Sequence, residues 1–168
     1  MVSSSASKVP SDGESPVSRE KDGETRSADQ PRTARSERLK SIRPAIPVDT
    51  AESRVVERFQ HEVLRPILKL LNPVLLDLIA HTLAKYGTGF TKMDRPEQIR
   101  RLDNLLGQDS RLKRTLLGMA MGHFTQDEFA RYLQDSGEIR RRMVELVTER
   151  ARSQMDAIVK RIESIHRA

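Results

Sequence analysis

Repeatedly along this chain a side chain able to cap a helix is followed three residues later by glutamate, as at Asp49 with Glu52, Asp94 with Glu97, and Thr125 with Glu128. At that spacing the first side chain accepts a hydrogen bond from a first-turn N–H that has no partner within the helix. The glutamate can reach back to the capping residue's own N–H. Each pair therefore marks a helix start. Behind each, apolar residues recur at three and four, as Ile99, Leu102, Leu105 and Leu106 do before Gly107, so that one helical face is striped. Nothing reads as a strand. The expected fold class is all-α: a compact bundle of five to six helices with a long C-terminal helix.

Further punctuation divides the bundle. Pro66 lacks a donor and clashes with the preceding turn, so it must kink or restart the helix that begins near Asp49. Asn72-Pro73 reads as an N-cap followed by proline in the first turn, launching VLLDLIAHTLAKY with Gly87 as its stop. Asp109 caps the segment SRLKRTLLGMAMG. Phe124 and Phe129 stand where a hydrophobic staple places them around the Thr125 cap. From Asp135 and Glu138 a last helix is expected to run nearly to the end, about 30 residues or roughly 45 Å long. Beyond the bundle its stripe of Met155, Ile158, Ile162 and Ile165 would expose apolar surface. That pattern suggests a possible homodimer, or a partner-binding contact through the C-terminal helix.

The N-terminal quarter has another character. Residues 1–40 hold only eight hydrophobic side chains without period, too few to offset the entropy of ordering. They read as a disordered polyampholyte tail, followed by a proline-containing apolar strap over 41–49 and a helical domain over 50–168. The strap, with Leu39, Ile42, Ile46 and Val48 among Pro44 and Pro47, either lies along the chain's own helices or serves as a linear motif for a partner groove. No apolar run resembles a secretory signal or a membrane span, since Lys69, Asp77 and His81 interrupt the best candidate. A cytoplasmic location without membrane insertion is expected.

Charge and chemistry narrow the function. Residues 1–50 carry nine basic and eight acidic groups, leaving 21 against 16 in residues 51–168, so the body is the basic part. With no cysteine and four histidines there is no thiolate zinc site or cysteine nucleophile, and little material for a metal. Asp77 with His81, and Glu57 with His61, have the four-residue spacing of a chelating pair, but each supplies two ligands where a site needs at least three. His123 precedes a helix cap, where a structural role outweighs catalysis. Gly87 and Gly89 make only a G-x-G. No catalytic residue and no cofactor is expected.

Basic residues cluster as Arg100-Arg101, as Arg111, Lys113 and Arg114, as Arg140, Arg141 and Arg142, and as Arg150 and Arg152. If two or three clusters share a face they form a patch able to neutralise several phosphates. The stretch FTQDEFARYLQDSGEIRRRM, residues 124–143, resembles the start of a repressor-type helix-turn-helix, with Arg140 to Arg142 as DNA contacts. It departs from that pattern at Gln134, Asp135 and Ile139. The segments IRPAIPV, VLRPILKLLNPVLLDLI, YGTGFTKMDRP, LLGMAMGHFTQDEFARYL and RRMVELVTERARSQ are similar in order to a family of small bacterial all-helical proteins of unassigned role, some bearing a glyoxalase-related label. The resemblance covers residue 42 to about 155. It implies no activity here, because glyoxalases of the zinc or nickel type resemble β-rich folds with His and Glu ligands on strands. The expectation is a non-enzymatic binding or regulatory module. Arg111, Lys113, Arg114, Arg140, Arg141 and Arg142 would contact a protein or a structured nucleic acid, with Met155, Ile158 and Ile162 as an apolar second contact. A DNA-binding regulator built on residues 124–143 is the alternative.

Overall fold

The computed structural model describes residues 30–47, 55–86 and 89–167. The Asp49–Glu52 pair, Val48, Gly87 and the first 29 residues of the expected tail lie outside them. All regular structure among the described residues is helical. The helices are α1 (Gln30–Ser41), α2 (Val55–Phe59), α3 (Arg65–Leu70), α4 (Asn72–Tyr86), α5 (Arg95–Gln108), α6 (Ser110–Met121), α7 (Gln126–Gln134), α8 (Ser136–Ser153) and α9 (Met155–Arg167). A π-turn at Gln60–Leu64 joins α2 to α3, and a 3-10 turn at Phe90–Lys92 precedes α5. Even with Val55–Leu70 counted as one rod, the described helices number eight, more than the five or six expected.

The excess has identifiable causes. One is α1, which occupies residues expected to belong to the disordered tail and whose side chains from Thr33 on stay outside the buried core. Arginines hold it instead: Arg35 donates to the carbonyls of Phe124 and Gly122, each at 3.2 Å. Another is the break of the long C-terminal helix at Gln154. The buried residues Ile139, Met143, Val147, Ala151 and Met155 recur strictly at four. At about 100° per residue each four-residue step advances the stripe by about 40°, so over four steps it drifts by about 160° around a straight helix. The break resets it. It is pinned by a reciprocal amide pair, in which Asn72 donates to Gln154 and Gln154 to Asn72, each at 2.9 Å. Asn72 thus spends its amide across the bundle and does not cap α4.

Pro66 deforms the rod without ending it. The Arg65 N–H reaches back to the Gln60 carbonyl, five residues away, and the wide turn passes the register across the missing proline donor. Phe59, Leu64, Ile67 and Leu68 from this rod are buried with Leu75, Leu76 and Ile79 of α4 and with Ile158 and Ile162 of α9. The most extensive helix pairing is α4 against α9. At the other end Phe124 meets Phe59 edge to face at 5.5 Å and Tyr132 at 5.9 Å, and Phe129 reaches Tyr132 at 5.7 Å. The expected staple is therefore relayed through Tyr132. Asp94 and Asp109 cap as expected, accepting from Glu97 and Leu112 at 2.8 Å, and Thr125 with Glu128 forms the complete box.

Candidate interaction surfaces

The basic clusters separate into engaged and free groups. On α8, Glu138 accepts two bonds from Arg141, at 2.7 and 3.0 Å, and one from Arg142 at 2.9 Å. Arg141 also pairs with Glu145, and Arg142 donates to Gln60 at 2.8 Å. The hydrogen bonds from Arg141 and Arg142 hold the Glu138 carboxyl down to about 2. Glu138 in turn raises Arg141. Arg140 bonds the Tyr132 hydroxyl at 2.7 Å and lies over its ring. All three side chains proposed as DNA contacts are thus committed within the chain. A single residue, Asp135, separates α7 from α8, and Asp135 makes no side-chain cap.

The α5–α6 hairpin differs. Arg111 and Arg114 are exposed on the side of α6 opposite Leu112, Leu116 and Ala120, and Arg100 is exposed on α5. None of the three makes an ion pair among the described residues. Three of the acids here are committed elsewhere: Asp103 takes two bonds from Arg152 at 2.7 and 2.8 Å, and Asp94 and Asp109 are caps, while Glu97 is exposed on the first turn of α5. Lys113 reaches back along the hairpin, donating to the Gly107 carbonyl at 2.6 Å. Arg150 is partly buried beside Arg65. Burial lowers its pKa and Arg65 adds to the effect, against an opposing pull from Glu149. Its guanidinium donates to Asn72 at 3.3 Å.

The expected apolar contact on the C-terminal helix does not exist as a surface. Met155, Ile158 and Ile162 are at most 2% exposed, packed into the core, because the break at Gln154 turns α9 onto α4. That stripe is therefore closed to a homodimer or other partner, and only Ile165, 39% exposed, remains outside.

The residues weighed for chemistry stand apart. Arg161 donates to Asp77 at 2.6 Å, while His81 one turn on is exposed. His123 lies at the α6–α7 junction, its Nδ1 against the Met119 carbonyl at 2.9 Å. Among the described residues no three His, Asp or Glu side chains gather as a metal site, and no helix is long and apolar enough to cross a membrane. No family model, curated protein or solved structure matches the chain.

Sequence reasoning missed the anchor of the strap. Arg43 donates to both carboxylate oxygens of Glu128, at 2.6 and 2.8 Å, and to the His123 carbonyl at 2.5 Å. The two side chains are 7% and 13% exposed. Glu128 also accepts the Thr125 N–H at 2.7 Å, so one carboxylate both completes the cap of α7 and holds the arm. Burial pushes this carboxyl up, but the bonds from Arg43 and Thr125 outweigh it and leave it below its ordinary value. Proline and apolar residues drew attention to the strap, and its only cation was overlooked.

Proposed function

We propose that the chain is a non-catalytic binding module that holds an anionic macromolecular partner through the outward surface of the α5–α6 hairpin. One observation carries this reading: Arg100, Arg111 and Arg114 are exposed without ion pairs among the described residues, while of the nearby acids Asp94 and Asp109 serve as caps, Asp103 is bound by Arg152, and only the exposed Glu97 is left beside the three arginines. Uncompensated guanidiniums on adjoining helices raise the local positive potential. Their planar forks suit carboxylate or phosphate oxygens. No large hydrophobic side chain is exposed on α5 or α6, which favours an acidic protein surface or a structured nucleic acid over a single strand read by stacking.

The test is co-purification at low salt, with and without nuclease, from cells carrying the native chain or R100A/R111A/R114A. A partner lost on nuclease treatment is a nucleic acid, and one that survives is an acidic protein. Either should be depleted in the triple variant. Equal recovery of the same partner by both chains sinks the proposal.

A further inference from the structure

The outward surface of the α5–α6 hairpin carries more than its charge. Opposite its buried stripe of Gln98, Leu102 and Leu106, α5 presents Arg100 and Asn104 to solvent. On α6 the corresponding place is held by Arg111, Arg114 and Gly118, all exposed and, at about 100° per residue, within about 60° of one another around the helix. Gly118 stands in the interior of α6, where glycine is destabilising relative to alanine. Nothing within the chain calls for it: its backbone is helical, and a Cβ there would meet nothing within 4 Å. The close approach of a partner's backbone does call for it, since a side chain at 118 would hold the partner off the two arginines.

The make-up of the surface selects the partner. Neither α5 nor α6 contains an aromatic residue, and no large hydrophobic side chain is exposed on either. Protein interfaces draw most of their energy from buried aromatic and apolar anchors, and single strands are held by stacking. Contacts to the phosphates of a duplex need neither. Glu97, one turn before Arg100, is the one exposed acid on the two helices, so the arginines set the sign of the surface. The helices are joined by Asp109 alone and pack against each other. Such a pair is roughly 20 Å wide, too broad for the B-DNA major groove of about 12 Å. The minor groove of A-form RNA is wide, shallow and lined with 2′-hydroxyls, to which an amide such as that of Asn104 can both donate and accept. Resting on the basic-surface reading above, we infer that the hairpin lies across the minor groove of double-stranded RNA. Arg100, Arg111 and Arg114 contact phosphates, and the sugar–phosphate backbone passes over the bare turn at Gly118.

The test is fluorescence anisotropy of a labelled RNA duplex of about 20 base pairs with the full chain at about 50 mM salt. A DNA duplex of the same sequence and polyglutamate serve as comparators. The RNA should bind with a dissociation constant on the order of 10 μM, and its affinity should fall with salt at a log–log slope of about −3, one for each arginine. DNA and polyglutamate should bind at least about tenfold more weakly, and Asn104→Ala should narrow the gap between RNA and DNA. Gly118→Leu should lose about tenfold in RNA affinity while its melting temperature holds or rises, which separates a blocked surface from a damaged fold. RNA binding unchanged in R100A/R111A/R114A overturns the inference together with the reading it rests on. Three outcomes overturn the inference alone: no saturable RNA binding at about ten times that concentration, DNA or polyglutamate bound as tightly as RNA, or full RNA affinity in Gly118→Leu.

Discussion

Replacing Arg43 with methionine should release the N-terminal arm while leaving the body folded. Removing one partner of a buried ion pair costs about 3–5 kcal/mol when the other stays buried. Here the arm has little else to hold it. No side chain of residues 33–47 joins the core, and Ile42 is 53% exposed. Besides Arg43, Arg35 ties the arm to the body with two bonds to backbone carbonyls, worth about 1 kcal/mol each. A twelve-residue polar helix such as α1 is marginal alone. The arm therefore leaves before the bundle strains, and Glu128 is rehydrated. Opening raised by about 3 kcal/mol is about two decades in population, and cleavage through local opening follows that population. Trypsin should cut at Arg35, Arg38 and Lys40 about 100-fold faster or more in Arg43→Met. The melting temperature of the body should move by no more than a few degrees. Unchanged cleavage, or loss of the whole fold together with the arm, would refute the reasoning.

Three further outcomes follow from the same structure. Glu128 titrates below its ordinary 4.5 in the folded chain, so the stability from its pair is complete above that pH and is lost as pH falls through the lowered value; amide exchange in residues 35–46 should accelerate below about pH 4.5 while α4 stays protected. Ile158→Ala removes a side chain with 0% exposure and should cost about 2–5 kcal/mol in denaturant unfolding, whereas a freely exposed stripe would lose almost nothing. Gln154→Leu strands the Asn72 amide and should cost about 1–3 kcal/mol; a stability unchanged within error would mean that the amide pair does not hold the break.

Much of the fold was legible because it is written in local chemistry. The caps at Asp94, Asp109 and Thr125 act within four residues, so their identity suffices. The break at Gln154 was also present in the sequence, as the four-residue recurrence from Ile139 to Met155 that no straight helix can keep against one core. Reading those residues as one continuous stripe hid it, and turned the core positions Met155, Ile158 and Ile162 into an expected surface. What could not be read depends on pairings across the chain. Nothing local tells that Arg43 meets Glu128 or Asn72 meets Gln154, because each pair joins residues some eighty or more apart. The same limit governed the arginines: composition counts the α8 cluster equally with the α6 cluster, yet Glu138 and Glu145 pair with Arg141 and Arg142 in one, while among the described residues Arg111 and Arg114 of the other make no ion pair.

Elution from a heparin column in a salt gradient separates these two clusters most directly. Heparin is a polyanion of no particular sequence, and retention reports the exposed cations free to exchange counterions. Three chains are compared: the native protein, R100A/R111A/R114A, and R140A/R141A/R142A. The α5–α6 triple variant should elute at clearly lower salt. The α8 variant should elute near the native protein, because its arginines are held by Glu138, Glu145, Gln60 and Tyr132. If the α8 variant loses retention and the α5–α6 variant keeps it, the contact surface is the helix-turn-helix-like segment and the central claim is wrong.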